Sequence, residues 1–287
     1  MLNEAYSQGR PIESRLSGFQ YASWEKDRSS NERLVDYTAR DQADLMLLGV
    51  ARAHPSTKAY QALGSSYLLK GEIKEAIDQF KKALTYDPSN ARIHNDLGAA
   101  LMELAIDKQR RLDSLNEKEA QAAEQLPGEI LSDLSLANEH FSQAMQQDSR
   151  LVEGLFNHAL CLERLGLIDQ ALERWESYLQ LDPESGWARE ARERVEALKK
   201  RKDRTFFDAD RIFRSFLAAY DSGDEESIWR SFMRGSQPKG NLITELLLNQ
   251  YLELLARGQR AEAQIKLGPI ITAGRIEAHK NLSLIHI

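Results

Sequence analysis

The chain has 287 residues, of which 29% are charged, and its formal net charge is −6 at pH 7. That charge argues against a surface whose main role is to bind nucleic acid. Cys161 has no second cysteine to pair with, so an internal disulfide is excluded and a reducing compartment is favoured. No stretch has the roughly 18 consecutive apolar residues of a membrane helix, and the N-terminal sequence lacks the apolar core of a signal peptide. We therefore expect a cytoplasmic protein that binds neither membranes nor nucleic acid.

The N-terminal 30 residues are less helical in character than the rest. The stretch RPIESRLSGFQYASW mixes proline, glycine and serine with scattered aromatic residues. We expect residues 1–30 to be a partly extended segment that lies against the first helices. Residues 31–56 then carry Ala43, Leu47 and Pro55 at the spacing of the second helix of a repeat. That spacing predicts a half repeat that caps one end of a helical array.

Two later segments, 57–90 and 152–185, align with each other. Each predicts two apolar-periodic helices joined by a short glycine turn, and each ends near an Asp-Pro pair. The first segment carries the complete set of signature positions, which are Tyr60, Leu63, Gly64, Tyr67, Ala76, Phe80, Ala83 and Pro88. This pattern resembles the tetratricopeptide repeat, in which two helices pack closely at small residues. We predict an all-α fold, a helix-turn-helix solenoid with a right-handed superhelix.

A second repeat spans 91–151 and contains an insertion at 105–131. The third repeat resumes at 152 in the expected register, which supports the repeat interpretation. The insertion is charged, and Asn116 followed by Glu119 predicts a capping box that opens a short helix. It is either a recognition arm or a solvated excursion. After the third repeat, the apolar stripe of residues 186–201 predicts a capping helix that completes an array over 57–201.

Residues 205–281 return to helical patterns without the full repeat signature, so we expect degenerate helical repeats there. The last six residues, LSLIHI at 282–287, can be encoded CTG-TCT-CTT-ATA-CAC-ATC, which resembles the transposase mosaic end used in sequencing libraries. We expect these six residues to be non-native and to contribute nothing to the fold. The alternative is a genuine apolar C-terminus.

No residue pattern predicts catalysis, a metal site or a cofactor. The six histidines are scattered and form no HExxH or Cys/His spacing. Cys161 lies between two leucines at helical spacing and is predicted to be a buried structural thiol. No glycine-rich phosphate loop is present in the sequence. We expect no enzymatic activity in this chain, and no small-molecule substrate is evident.

The surface left for function is the inner face of the superhelix, which is lined by the first helix of each repeat. The predicted partner-binding residues are Lys58, Gln61, Ser65, Arg92, Asn95, Asp96, Ala99, Phe156, Asn157, Leu160 and Arg164. Among them, Asn95 and Asn157 are predicted to bond a peptide backbone, because an amide both donates and accepts. Phe156 and Leu160 are expected to supply apolar contact. Ordinary solvated groove residues are the alternative interpretation. The acidic residue Glu153 disfavours a carboxylate-binding clamp at this face.

The order of features resembles one bacterial group. The head RPIESRLSGFQY, the half repeat, the expanded second repeat and the phrase LERLGLIDQALERWESYLQLDPESGWAREARERV look like the N-terminal part of tetratricopeptide-CHAT proteins. In that group a caspase-like peptidase domain follows the helical array. Two functions are therefore open. One is a scaffold that binds a protein or peptide partner in the groove. The other is the regulatory, substrate-recruiting part of a peptidase whose catalytic domain is missing from this fragment.

Overall fold

The computed structural model describes residues 2–7, 9–23, 36–116, 119, 123–237 and 240–283. The chain divides into two compact units, Met1–Leu198 and Lys199–Ile287. Among the described residues helices dominate, and the β structure is a two-residue antiparallel ladder. The all-α prediction is confirmed. Of the six C-terminal residues whose origin the sequence analysis questions, 284–287 lie outside the described residues.

The first unit is a succession of antiparallel helix pairs. Its helices are α1 (Leu2–Ala5), α2 (Tyr37–Ala53), α3 (Thr57–Lys70), α4 (Ile73–Tyr86), α5 (Ala91–Asp113), α6 (Leu126–Gln147), α7 (Val152–Arg164), α8 (Ile168–Leu181) and the first part of α9 (Gly186–Ser222). Each of the pairs α3–α4, α5–α6 and α7–α8 packs side by side. A large core runs through the unit, and a small separate cluster of Ala51, Ala59 and Leu63 lies between α2 and α3.

Local chemistry sets where these helices begin and end. Ser56 caps α3, since its side chain accepts a hydrogen bond from the backbone N–H of Ala59, and Asn90 caps α5 in the same way through Ile93. Gly71 ends α3 with a φ of 81°, a left-handed conformation that glycine adopts without steric cost. Gly166 stands at the matching turn between α7 and α8 with a φ of 75°.

Small residues allow the paired helices to approach closely. A Cβ added to Gly64 would lie 2.7 Å from the ring of Phe80, and one added to Gly98 would lie 2.7 Å from the ring of Phe141. Both rings are completely buried. The same contact therefore recurs in two successive repeats, and any side chain larger than hydrogen would push the helices apart.

The insertion in the second repeat lengthens both of its helices. Helix α5 continues to Asp113 and helix α6 begins at Leu126, so most of 105–131 is helical. Ala105, Ile106 and Ile130 are buried, whereas most of the described residues between Ile106 and Ile130 are exposed. The predicted capping box is present, because Asn116 and Glu119 exchange side-chain-to-backbone hydrogen bonds of 3.0 and 3.1 Å.

The second unit has its own core. It contains the rest of α9, then α10 (Glu225–Arg234), β1 (Ser236–Gln237), β2 (Gly240–Asn241), α11 (Leu242–Ala256), α12 (Arg260–Ile265) and α13 (Leu267–Ser283). Phe216, Phe232, Ile243 and Leu247 are fully buried in its centre. Helix α9 is continuous across residues 202–204, which lie between the expected array over 57–201 and the expected degenerate repeats over 205–281. The reason is local, since neither glycine nor proline occurs between Gly186 and Gly223.

Candidate peptide-binding groove

Residues 9–23, here called the head segment, lie on the face formed by α5, α7 and the start of α9. The segment is neither helix nor strand. It closes on itself, because the N–H of Arg10 donates to the carbonyl of Ser23 at 3.0 Å. A turn from Leu16 to Phe19 reverses its direction, with Gly18 at a φ of 81°. We call the face that holds this segment the groove.

The groove holds the backbone of the head segment through asparagine amides. The Oδ1 atom of Asn157 accepts a hydrogen bond from the N–H of Arg15 at 2.7 Å, and its Nδ2 atom donates to the carbonyl of Arg15 at 2.8 Å. Asn95 donates to the same carbonyl at 3.3 Å. Asn157 also donates to the side-chain oxygen of Asn95 at 2.8 Å. Both asparagines are fully buried, so these bonds form away from water.

Carboxylates extend this backbone recognition beyond Arg15. Asp96 accepts from the N–H of Ser17 at 2.9 Å, and Glu153 accepts from the N–H of Gly18 at 3.2 Å. Gln61 donates to the other oxygen of Asp96 at 2.8 Å, which fixes that carboxylate in place. Successive backbone groups of the head segment are thus bonded by side chains from several repeats.

The side chain of Arg10 occupies an acidic and aromatic site at the start of α9. Its guanidinium forms two hydrogen bonds with Glu190, at 2.5 and 3.1 Å. The same group lies 4.1 Å from the ring centroid of Trp187. Tyr21, also from the head segment, donates to Glu190 at 3.1 Å. A bidentate pair stacked on an indole is a specific geometry for arginine, which lysine cannot reproduce.

Glu13 lies in a basic site formed by two arginines. Its two carboxylate oxygens pair with Arg164 and Arg194, one from α7 and one from α9. The Glu13 side chain is only 6% exposed. Burial alone raises the pKa of this carboxyl, but the guanidinium groups of Arg194 and Arg164 outweigh burial and hold the pKa below its ordinary value.

Arg15 reaches a second acidic site. Its guanidinium bonds the carboxylate of Asp182 and the hydroxyl of Tyr178, each at 2.9 Å. It also lies 5.2 Å from the ring centroid of Trp187. That indole is therefore flanked by two arginines of the head segment. Between the charged residues, Ile12 and Leu16 are buried in the core of the unit.

Two further carboxyl groups, Asp96 and Glu103, lie under the head segment, and no ion pair to either is found among the described residues. Burial raises the pKa of Asp96 to about 6. Burial, together with the nearby charge of Glu13, raises the pKa of Glu103 to about 7. Ser14 donates to Glu103 at 3.5 Å. Occupation of the groove therefore places titratable acids in a water-poor environment.

The predicted groove residues differ in whether their side chains contact the head segment. Asn95, Asp96, Asn157 and Arg164 contact the head segment directly, and Gln61 does so through Asp96. The remaining members are placed as follows: Lys58 and Arg92 are exposed, whereas Ser65, Ala99, Phe156 and Leu160 are buried. The main chain of Arg92 accepts a hydrogen bond from Ser17 at 3.2 Å.

Phe156 belongs to an aromatic cluster beneath the groove. Its ring makes edge contacts with Trp175, Tyr178 and Trp187 at centroid distances of 4.9 to 5.4 Å. In this structure the ring has no exposed surface. Its role here is to support Tyr178 and Trp187, which in turn contact the arginines of the head segment.

Sequence reasoning missed the residues at the C-terminal end of α8 and in α9 that bind the head segment. These are Asp182, Trp187, Glu190 and Arg194, which lie outside the first helices of the repeats. The sequence feature that could have indicated these residues is the alternation of acidic and basic residues in SGWAREARERV. Neighbouring charges of opposite sign around a tryptophan suit the head segment, which itself alternates in charge.

Among the described residues, no group of three or more metal-ligating side chains is found. Cys161 is buried, and its Sγ donates to the carbonyl of Leu134 at 3.4 Å. Burial raises the pKa of this thiol to about 12, so it is not a reactive thiolate at neutral pH. In the part of the chain that the structure describes, no helix combines the length and apolar character needed to cross a membrane.

A sequence model of the TPR repeat matches residues 64–104. No curated protein matches the sequence. Solved structures of other repeat proteins show low similarity. The first TPR of Spaghetti (RPAP3), bound to the HSP90 peptide SRMEEVD, is 16% identical with a TM-score of 0.40 over 51% of this chain and 95% of its own. The Arabidopsis OM64 TPR domain is 16% identical with a TM-score of 0.38 over 49% of this chain and 94% of its own.

The crystal structure of MamA gives a broader but equally weak match. It is 16% identical with a TM-score of 0.38 over 90% of this chain and 98% of its own. Residues 64–104 thus match a single family model, that of the TPR repeat, and the described residues form an all-α fold of paired helices.

Proposed function

We propose that this chain is a protein-interaction scaffold whose groove binds a non-helical peptide segment of a partner protein. One observation carries the proposal. The groove already holds a non-helical polypeptide, the head segment, and Asn157 and Asp96 bond its backbone. Backbone recognition is independent of the ligand's side chains, so the same amides can hold another chain in the same path.

The chemistry of the groove supports a peptide rather than a small molecule. Asn95, Asp96 and Asn157 present both donors and acceptors along a line that follows a main chain. Each of these groups is fully buried in the occupied groove. Leaving such a group unpaired costs roughly 1–3 kcal/mol, so the groove favours a chain that satisfies all of them.

The test uses the full chain with its head segment loosened by Leu16→Asp, which puts a charge into the core. Peptides are selected from a displayed library on this variant and then titrated. Adding Asn95→Ala and Asn157→Ala should weaken their binding at least tenfold. Asn249→Ala, which removes an exposed amide in the second unit, serves as the matched control. Arg111→Ala, in the insertion, should also have little effect. Selected peptides that bind the double variant unchanged would contradict the proposal.

The resemblance to tetratricopeptide-CHAT proteins supports a second proposal, a regulatory and substrate-recruiting part of a caspase-like peptidase. It rests on the phrase LERLGLIDQALERWESYLQLDPESGWAREARERV. Genomic sequence beyond codon 281 tests it. A His-Gly pair followed by a later cysteine is expected, whereas a stop codon or only further repeats would contradict it.

A further inference from the structure

We propose that the groove selects peptides with the charge order of the head segment, Arg-x-x-Glu-x-Arg-Leu, and that the head segment competes with such a peptide for the same sites. This inference rests on the proposed function and adds the class of ligand and its regulation. It follows from the alternation of three charged sites along one face.

The three sites have alternating sign. Glu190 receives Arg10, the pair Arg164 and Arg194 receives Glu13, and Asp182 receives Arg15. The spacing is three residues and then two along the head segment. A ligand in the same path therefore meets an acidic, a basic and an acidic site in that order.

Burial makes these sites selective. The side chains of Arg10 and Glu13 are both 6% exposed, and that of Arg15 is 13% exposed. Salt screens such pairs far less than it screens pairs at the surface. A ligand of the wrong charge order would bury like charges against each other, and a neutral ligand would leave buried charges unpaired.

The aromatic support strengthens the preference for arginine at two positions. Trp187 lies under the guanidinium groups of both Arg10 and Arg15, at 4.1 and 5.2 Å. An arginine stacks on an indole while it also forms planar hydrogen bonds with a carboxylate. The ligand is therefore expected to carry arginine rather than lysine at the first and sixth positions of the motif.

An open cavity beside Glu13 offers a place for an incoming peptide to bind first. Its volume is about 440 Å³, and its lining includes Arg110, Arg164 and Arg194 together with Glu13. An acidic side chain that enters here reaches Arg110 and Arg164 before Glu13 has left. Exchange can then proceed one contact at a time instead of requiring the whole head segment to dissociate.

Covalent attachment gives the head segment a large advantage over a free peptide. A tethered ligand has an effective concentration on the order of mM. A peptide present at micromolar concentration therefore replaces it only when the head segment is weakened. The wild-type protein is therefore expected to bind such peptides weakly. Any change that loosens residues 9–23 is expected to make the groove available and to tighten their binding.

The experiment uses a fluorescent synthetic peptide of residues 9–23 and the full-length protein. Fluorescence anisotropy compares the wild type with Leu16→Asp, whose own head segment is displaced. We expect at least tenfold tighter binding to the variant. Glu13→Arg is the second displaced variant, used if Leu16→Asp does not fold by circular dichroism. Wild type and displaced variants that bind the peptide equally would overturn competition by the head segment.

The charge order is tested with a second peptide in which Glu13 is replaced by arginine. It should bind the displaced variant at least tenfold more weakly than the wild-type peptide. Adding Arg164→Glu and Arg194→Glu to the protein should reverse this preference. If both peptides bind equally and still require Asn157, the charge selectivity is wrong while the proposed function stands. If library-selected peptides bind but neither of these does, the ligand class is wrong; if no peptide of any kind binds, both proposals fail.

Discussion

Asn157 forms a two-bond pair with the backbone of Arg15. Its amide oxygen accepts from the N–H of Arg15 at 2.7 Å, and its amide nitrogen donates to the carbonyl of the same residue at 2.8 Å. This is the hydrogen-bonding pattern that a neighbouring strand would offer, delivered by one side chain of α7. It fixes the position of the head segment irrespective of the side chain that residue 15 carries.

Replacing Asn157 by alanine should therefore loosen the head segment without disrupting the repeats. The buried N–H of Arg15 loses its bond to Asn157, and the carbonyl keeps only the 3.3 Å bond from Asn95, which is expected to cost roughly 1–3 kcal/mol of stability. Urea denaturation measures that cost, and hydrogen exchange of the Arg15 and Ser17 amides should speed up. Asn249→Ala, an exposed amide, should change neither quantity. Unchanged exchange at Arg15 would show that Asn157 does not hold the segment.

Gly186 makes room for Tyr21, and this contact predicts a non-additive pair of substitutions. A Cβ on Gly186 would overlap the ring of Tyr21. Its φ is not in the left-handed region, so alanine suits the first turn of α9 by itself. Gly186→Ala alone should displace Tyr21 and destabilise the protein, by an overpacking cost of about 1–3 kcal/mol.

Tyr21→Ala supplies the control for this clash. In a Tyr21→Ala background, Gly186→Ala should be neutral or slightly stabilising, because the ring it would strike is absent. Thermal denaturation of the four proteins in the cycle measures the coupling. Additive effects would mean that the two residues do not meet in solution.

The repeat core could be predicted from the sequence because the residue spacings that indicate it are local. Gly64, Ala76 and Phe80 fall at fixed spacings within one helix pair, and helix packing then dictates the rest. The sequence also predicts that Asn95 and Asn157 bond the backbone of a partner. In the structure they bond the backbone of the head segment, and their role towards a partner stays a prediction.

That the head segment fills the groove could not be predicted from the sequence in the same way. Glu13 and Arg194 are 181 residues apart, and Arg10 and Glu190 are 180 apart. No periodicity links an irregular segment to residues so distant, since its conformation is set by the surface that receives it. The sequence analysis expects residues 1–30 to lie against the first helices, whereas the structure places residues 9–23 also against α7 and α9.

Ala76 tests the packing of the first repeat. It is completely buried in α4, and Phe80, which lies one turn later, already fills the space against Gly64. Ala76→Phe should overpack this contact and lower the free energy of unfolding by roughly 1–3 kcal/mol. Ala53→Phe, at the exposed end of α2, is the matched control. An unshifted denaturation midpoint for Ala76→Phe would contradict the close approach of α3 and α4.

Glu103 makes the stability of the protein depend on pH. Its pKa rises from the ordinary value of 4.5 to about 7 in the folded protein, chiefly because it is buried and also because Glu13 is near. The folded state therefore binds a proton that the unfolded state has released between these two pH values. The stability contributed by this proton is fully present below pH 4.5 and is lost as pH rises through about 7.

Glu103→Gln removes this dependence, because an amide does not ionise and can still accept from Ser14. The variant should match the wild type near pH 4.5 and become progressively more stable than it as pH rises. Above pH 7 the difference should level off at up to about 3 kcal/mol, since one pKa unit corresponds to about 1.4 kcal/mol. Urea denaturation between pH 5 and pH 8.5, each value set by buffer at about constant ionic strength, measures it. Glu176→Gln, at an exposed position of α8, should show no such trend. A difference between Glu103→Gln and the wild type that is constant across this range would mean that Glu103 keeps its charge in the folded protein.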